Sequence, residues 1–304
     1  HHSRHEGWVS VYNAIRKAGF LCVQTFPVKA EMSVSMPIQQ AKTPIHLDLI
    51  LVCKKENDVK LIKTSKNIVH TSAEIAKKFK TSVTVRGAGT GLVGSALNKG
   101  IILDMKNFDS IRLNNDFVKV GSGVIKGELD KKLEREKKFF PPNPSIGSFC
   151  TVGGMLGNNS SGSRSLKYGS MIDNVIEITF IDGNGKKIIL PKNIKIAKKI
   201  LEITNVDETR LPNVTKNSSG YRIDKIKTKN DVHKIIVGSE GTLGIILSAK
   251  LKIKEKPKTR ILFIIEYESI RDASKDCVQI NRTFPSAVEF VDKQTLQQIK
   301  YKFN

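Results

Sequence analysis

At 304 residues the chain has room for about two domains, and 39% hydrophobic content supplies ordinary cores. Its longest apolar runs, such as Leu47 to Cys53 and Ile261 to Ile265, fall far short of the roughly 20 residues a membrane-spanning helix needs, so no transmembrane segment is expected. The balance of 51 Lys+Arg against 29 Asp+Glu gives +22, a charge that would suit a nucleic acid or an anionic membrane. The lysines are dispersed, however (Lys131, Lys132, Lys137, Lys138, Lys195, Lys198, Lys199), with no aromatic stacking platform beside them. A solvated basic surface that attracts an anionic substrate and dinucleotide is the expected reading, and nucleic acid is not an expected partner.

The first residues, His1-His2-Ser3-Arg4-His5, carry no apolar stretch behind them and no Met, so a signal peptide is not expected and the true start is expected upstream. Four cysteines, Cys22, Cys53, Cys150 and Cys277, form no CxxC pair. A reducing cytoplasm, with membrane association only through a partner, fits unpaired thiols. The period of apolar residues predicts a helix from Trp8 to Ala18 closed by Gly19, then strands Phe20 to Val28 and His46 to Cys53. The polar run Lys54-Lys55-Glu56-Asn57-Asp58 predicts a boundary. Beyond it come strand Val59 to Ile62, helix Ser72 to Phe79 and strand Ser82 to Val85. Short strands and turns follow from Ile101-Ile102-Leu103-Asp104 to Lys252. After Pro257 the pattern predicts a βαβ start, with strand Ile261 to Tyr267, helix Ile270 to Asn281 and strand Ala287 to Val291. A further helix begins before Asn304.

Three glycine-rich segments carry the chemistry. The first is Arg86-Gly87-Ala88-Gly89-Thr90-Gly91-Leu92-Val93-Gly94. Its glycines allow positive φ and close approach, so that successive N–H groups can converge on a phosphate, with Arg86 adding a cation and Thr90 a hydroxyl. A Rossmann loop would need a following helix and an acidic residue about 20 positions on, whereas Ile101 to Asp104 reads as a strand soon after. The second pairs Pro141-Pro142-Asn143-Pro144-Ser145 with Thr151-Val152-Gly153-Gly154-Met155-Leu156-Gly157-Asn158-Asn159-Ser160-Ser161-Gly162. Stiff prolines lead into paired glycines against which a flat ring can lie, with amides and a hydroxyl at hand. The third joins Asn217-Ser218-Ser219-Gly220-Tyr221 to Gly238-Ser239-Glu240-Gly241-Thr242-Leu243-Gly244-Ile245-Ile246.

In this order and spacing, together with Lys167-Tyr168-Gly169, the segments resemble the PCMH-type FAD-binding domain of the vanillyl-alcohol-oxidase superfamily. The resemblance is to the branch with the FAD-linked chain of glycolate oxidase, D-lactate dehydrogenase and D-2-hydroxyglutarate dehydrogenase, and it covers residues 59 to 304. It implies an α+β (α/β) fold whose two-lobed domain holds FAD in the cleft. Carried onto this sequence, Arg86, Gly87, Ala88, Gly89, Thr90, Gly91 and Leu92 hold the pyrophosphate. Pro144, Ser145, Thr151, Gly153, Gly154, Asn158 and Gly162 line the adenosine and flavin path, with Glu240, Gly241, Thr242 and Ile246 near the ring. Some relatives attach FAD covalently through a His in the first loop. This loop has none, so noncovalent binding is expected.

The resemblance further implies a small 2-hydroxy-acid substrate and an electron acceptor, either a partner protein or a quinone. In such proteins the base and metal site lie in a C-terminal cap, so residues 257–304 are expected to be only its beginning. No catalytic residue and no metal ligand is assigned, and the chain alone is expected to hold flavin without oxidising hydroxy acids. Residues 1–56, through Trp8, Ala18-Gly19-Phe20 and Thr25-Phe26-Pro27-Val28, resemble the Rossmann-like C-terminal tail of a DNA methylase and are expected to be a remnant. Residues 57–256 are then the FAD-binding domain. Alternatives are an FAD-dependent transferase of the alkylglycerone-phosphate synthase type, a catalytically incomplete FAD-binding subunit, and a nucleic-acid-modifying protein.

Overall fold

The computed structural model describes residues 17–18, 20–29, 47–55, 66–98, 100–204, 214, 217–218 and 220–297. The chain divides into two compact units, His1–Lys63 and Thr64–Asn304. In the first, β1 (Phe20–Lys29) and β2 (Leu47–Lys55) pair antiparallel from Phe20 opposite Lys55 to Lys29 opposite Leu47. A bulge interrupts the register between Cys22 and Gln24. The strand therefore runs through Lys54 and Lys55, where the polar residues predicted a break. The predicted helix lies outside the described residues up to position 16, and the predicted strand Val59 to Ile62 lies wholly outside them.

The second unit has two lobes. The smaller is built from α1 (Lys66–Lys78), β3 (Val83–Arg86) and β4 (Ile101–Asp104), with β3 and β4 parallel. Helix α1 begins earlier than the predicted Ser72, and its closing Lys77 and Lys78 sit favourably at the negative end of the helix dipole. No helix connects β3 to β4 among the described residues, only the glycine loop and turns. This is why the Rossmann alternative fails.

The larger lobe is a five-stranded antiparallel sheet containing β5 (Ile111–Leu113), β6 (Phe117–Gly121), β8 (Val175–Ile181), β9 (Lys187–Leu190) and β10 (Ile245–Lys252), in the order β5-β6-β10-β8-β9. A two-residue strand, β7 (Lys138–Phe139), pairs apart from it with β11 (Lys254–Glu255). One face of the main sheet, carrying Val118, Val120, Ala249 and Leu251, packs with α2 (Lys126–Arg135), α3 (Val152–Gly157) and α5 (Ile194–Thr204) around the main core. A four-residue turn of helix, α4 (Ser165–Tyr168), leads back toward β8. Helix α2 presents Leu129 and Leu133, one turn apart and both fully buried. Each contributes about 1.5–3 kcal/mol by leaving water.

A second core cluster of Val69, Leu103, Met105, Ile181 and Ile245 joins the small lobe to the ends of β8 and β10. That shared end explains why the run Val175–Ile181 is buried almost throughout instead of alternating. The two lobes also meet through backbone. A Cβ on Gly121 would lie 2.0 Å from the Phe108 carbonyl, and one on Gly123 would lie 2.0 Å from the Met105 carbonyl. No other residue allows the end of β6 to reach the loop after β4 so closely.

Residues beyond β11 depart from the predicted βαβ start. Helix α6 spans Ile270–Asn281 as the period predicts, capped by Ser269. Residues 261–267 and 287–291 form no strand. Ile261 to Ile265 are 55–83% exposed, and an apolar run becomes a strand only when another strand edge accepts its hydrogen bonds. None does among the described residues.

His233, in the 3-10 turn Val232–Ile236, is buried and bonds its Nε2 to the Val175 carbonyl at 3.2 Å, tying that turn to β8. Burial pushes the imidazole pKa down. The folded value lies below the unfolded one, so stability is full above about pH 6.5 and falls as the unfolded chain takes up the proton below it. Thermal melting from about pH 7.5 to 5.5 should show a larger loss for the native protein than for His233→Gln. Equal losses would show that this imidazole is not the group responsible.

Candidate functional site

A cavity of about 240 Å³ lies between the small lobe and the sheet lobe. Its walls bring together all three glycine-rich segments. Of the residues singled out above, Gly87, Ala88, Gly89, Thr90, Gly91, Pro144, Thr151, Gly153, Gly154, Asn158, Glu240, Gly241 and Ile246 line it. Arg86, Leu92, Ser145, Gly162 and Thr242 do not. The Arg86 guanidinium folds over its own loop, with Nη2 3.2 Å from where a Gly89 Cβ would be, and Leu92 is 99% exposed at the loop tip.

The short helix α3 organises the site. Thr151 caps it by accepting the Gly154 N–H at 3.2 Å, while the Gly153 N–H bonds the Ser122 carbonyl at 2.8 Å. At its other end the Gly238 N–H bonds the Leu156 carbonyl at 2.9 Å, and the Glu240 N–H bonds the Gly157 carbonyl at 3.0 Å. The third segment thereby binds end carbonyls of the helix, that of Leu156 also accepting from the Asn159 N–H at 3.2 Å. Glu240 (φ +50°) and Gly241 (φ +84°) make the left-handed bend that turns the chain across this helix end. Tyr221 Oη and Thr242 Oγ1 are 2.6 Å apart. Since Thr242 Oγ1 also donates to the Ser239 carbonyl at 2.6 Å, Tyr221 is the donor of that pair. The described part of Asn217 to Tyr221 is thus fastened to the same turn.

The first loop is seated on this helix cap as well, because a Gly87 Cβ would fall 2.2 Å from Thr151 Oγ1. Pro144 is held by a neighbour whose role the sequence did not disclose. Lys126 is only 1% exposed, and its ammonium bonds both Asp130 and, at 3.1 Å, Asn143 Oδ1. Cys150 also lines the cavity, and burial pushes its thiol pKa up, which suits a packing thiol rather than a nucleophile.

The walls fit a flat, hydrogen-bonding cofactor. Gly157 and Gly241 both line the cavity, and a Cβ on either would meet open space rather than another part of the chain within 4 Å. Ser122, buried on the wall, has its backbone N–H and carbonyl engaged by Leu247 and Gly153, while its Oγ has no partner among the described residues. Among the described residues no group of three or more His, Cys, Asp or Glu could hold a metal ion. No helix among them is long and apolar enough to cross a membrane.

Residues 59–190 match the FAD binding domain family. The chain carries an FAD-binding domain. Its cofactor is FAD. The chain is 31% identical over 258 residues to the D-lactate dehydrogenase of Anaerostipes hadrus, covering 83% of this chain and 48% of that protein. It is 32% identical to the D-2-hydroxyglutarate dehydrogenase of Escherichia coli, over 70% of this chain and 24% of that one. With the glycolate oxidase subunit GlcD of Bacillus subtilis it shares 30% identity over 74% of this chain and 43% of that protein. The chain thus spans about half or less of the length of these relatives. Against the solved alkyldihydroxyacetonephosphate synthase the TM-score is 0.47 at 24% identity, over 64% of this chain and 33% of that one.

Proposed function

We propose that the FAD-binding domain holds its cofactor noncovalently in the cavity around α3, as the flavin half of an FAD-linked oxidoreductase acting on a 2-hydroxy acid. The observation that carries this reading is the convergence of three glycine segments, distant in sequence, on one cavity beside a turn that bears Glu240 and Gly241. The three relatives named above support the substrate class. In this reading the first loop takes the pyrophosphate, the Pro144 to Asn158 wall the adenosine and flavin, and the 240–246 turn the ring edge. FAD supplies the acceptor for a hydride; the protein supplies its orientation and excludes water.

The first loop contains no histidine, so no imidazole is at hand there to form a bond to the flavin. Precipitating the yellow protein with acid should release the colour into the supernatant. Flavin retained in the pellet would refute noncovalent binding.

Glu240 is the one carboxylate lining the cavity, and no histidine lines it among the described residues. We read the described part of residues 57–256 as the cofactor half of the site, since among the described residues no histidine base and no Lys or Arg that could clamp a substrate carboxylate lines the cavity. Loss of acid–base assistance alone lowers a rate about 10²- to 10⁴-fold. Anaerobic stopped-flow mixing of the FAD-loaded chain with D-lactate, glycolate and D-2-hydroxyglutarate should leave the flavin band unbleached. Rapid bleaching by any of them would place a working base within this chain. Residues 1–56 stand apart in this proposal, their methylase likeness resting on their sequence.

A further inference from the structure

Three cations face one another across adjacent strands of the sheet. Arg112 on β5 is directly opposite Lys119 on β6, which is directly opposite Lys250 on β10. Directly opposed residues share a face with Cβ atoms about 4.5–5.5 Å apart, and like charges so placed repel. The alternating neighbours Val118, Val120, Ala249 and Leu251 are buried in the main core, so the three cations lie on the opposite, outward face. Arg112 and Lys119 are exposed, and Lys250 is half-buried with its Nζ 3.5 Å from the centroid of the Phe117 ring. Among the described residues neither Arg112 nor Lys119 has a carboxylate partner. Glu177, opposite Lys250 on β8, is engaged by Lys192 at 2.7 Å. A sequence with 51 cations has many exposed lysines, but this row is fixed by strand register, and among the described residues the one carboxylate directly opposite it, Glu177, is engaged by Lys192.

The same strands lead to the cofactor cavity. Ile246 lines its wall four residues before Lys250, and Ser122 three residues after Lys119. At about 3.3 Å per residue the row stands roughly 13 Å from the cavity along the strands. We propose that this outward face docks an acidic redox protein that takes electrons from the reduced flavin, an inference that rests on the oxidoreductase reading above. Reduced FAD gives one electron to each of two acceptor molecules, and its two protons pass to solvent. Docking of carboxylates relieves the repulsion within the row and steers the encounter, an effect that weakens as salt rises. A nucleic acid or a lipid surface is less well matched, because Phe117, the aromatic ring within the row, is covered by Lys250 and is not free to stack or insert.

The test uses the FAD-loaded chain, stoichiometrically reduced with dithionite and mixed in a stopped-flow instrument with the acidic haem protein cytochrome b5. Basic cytochrome c and a neutral quinone serve as controls. The rate with cytochrome b5 should fall steeply with ionic strength, and Lys119→Glu should lower it by on the order of 10-fold at low salt. The same variant should leave the quinone rate unchanged. Its melting temperature should not fall, because it turns two repulsive cross-strand pairs into attractive ones. A cytochrome b5 rate indifferent to salt and to Lys119→Glu would overturn the docking surface. So would equal effects of the variant on cytochrome c, or loss only of binding to heparin or anionic vesicles. Failure of the reduced flavin to pass electrons even to the quinone would count against the oxidoreductase reading, and this result is distinguishable from the others.

Discussion

Replacing Gly157 with leucine should weaken FAD binding by roughly 10- to 100-fold while leaving the apoprotein as stable as before. The residue lines the cavity, its backbone does not need positive φ, and an added Cβ meets no protein atom within 4 Å. A branched side chain therefore enters the space proposed for the cofactor, and overpacking of this kind costs about 1–3 kcal/mol, equivalent to that change in affinity. In the apoprotein, leucine is a better helix residue than glycine, so the melting temperature should hold or rise. Titration with FAD, followed by quenching of flavin fluorescence, alongside melting of the apoprotein, separates the two effects. Native affinity in Gly157→Leu would remove α3 from the flavin path.

The opposite pattern is expected at Gly162, where alanine should destabilise the fold itself. A Cβ there would lie 1.9 Å from the Asn143 carbonyl oxygen and 2.3 Å from its carbon. This clash is with backbone, in a segment already stiffened by Pro141, Pro142 and Pro144, so it cannot be relieved by turning a side chain. Separation of the two loops should cost about 3 kcal/mol or more, which for a unit of this size lowers the melting point by roughly 10 °C. Circular dichroism melting of the apoprotein measures it. A variant with unchanged melting and lost FAD affinity would instead make Gly162 a cofactor contact, as the family resemblance implies.

These two glycines show what could be read before the structure. The three glycine-rich segments that line the cavity stand out in the sequence by their order and composition, and strand Ile101–Asp104 and helix Ile270–Asn281 were legible in their periodicity. Which glycine faces ligand and which faces backbone was not. The neighbours of a missing Cβ are set by packing between segments far apart in the chain, as when Thr151 meets Gly87. Ser122 escaped notice for the same reason: only the folded chain carries the end of β6 to the cavity wall. The run Ile261 to Ile265 misled in the other direction, because composition reports willingness to form a strand and says nothing about an available edge.

The seating of the first loop on the Thr151 cap, and of the Glu240 turn on the far end of α3, also bears on how the protein acquires its cofactor. Neither contact is local, so closing the cavity requires large chain loops to close first, and such steps are slow in folding. Local elements such as α2 can form early, but the proposed FAD site is not complete until the segment ending at Ile246 has joined the sheet. In the proposed function, the glycine loop at Gly87 therefore emerges during synthesis from the N-terminus long before the site around it is closed, which makes cofactor capture a late event. Once bound, FAD stabilises the closed arrangement by mass action, by about 4 kcal/mol at a thousandfold excess over its dissociation constant.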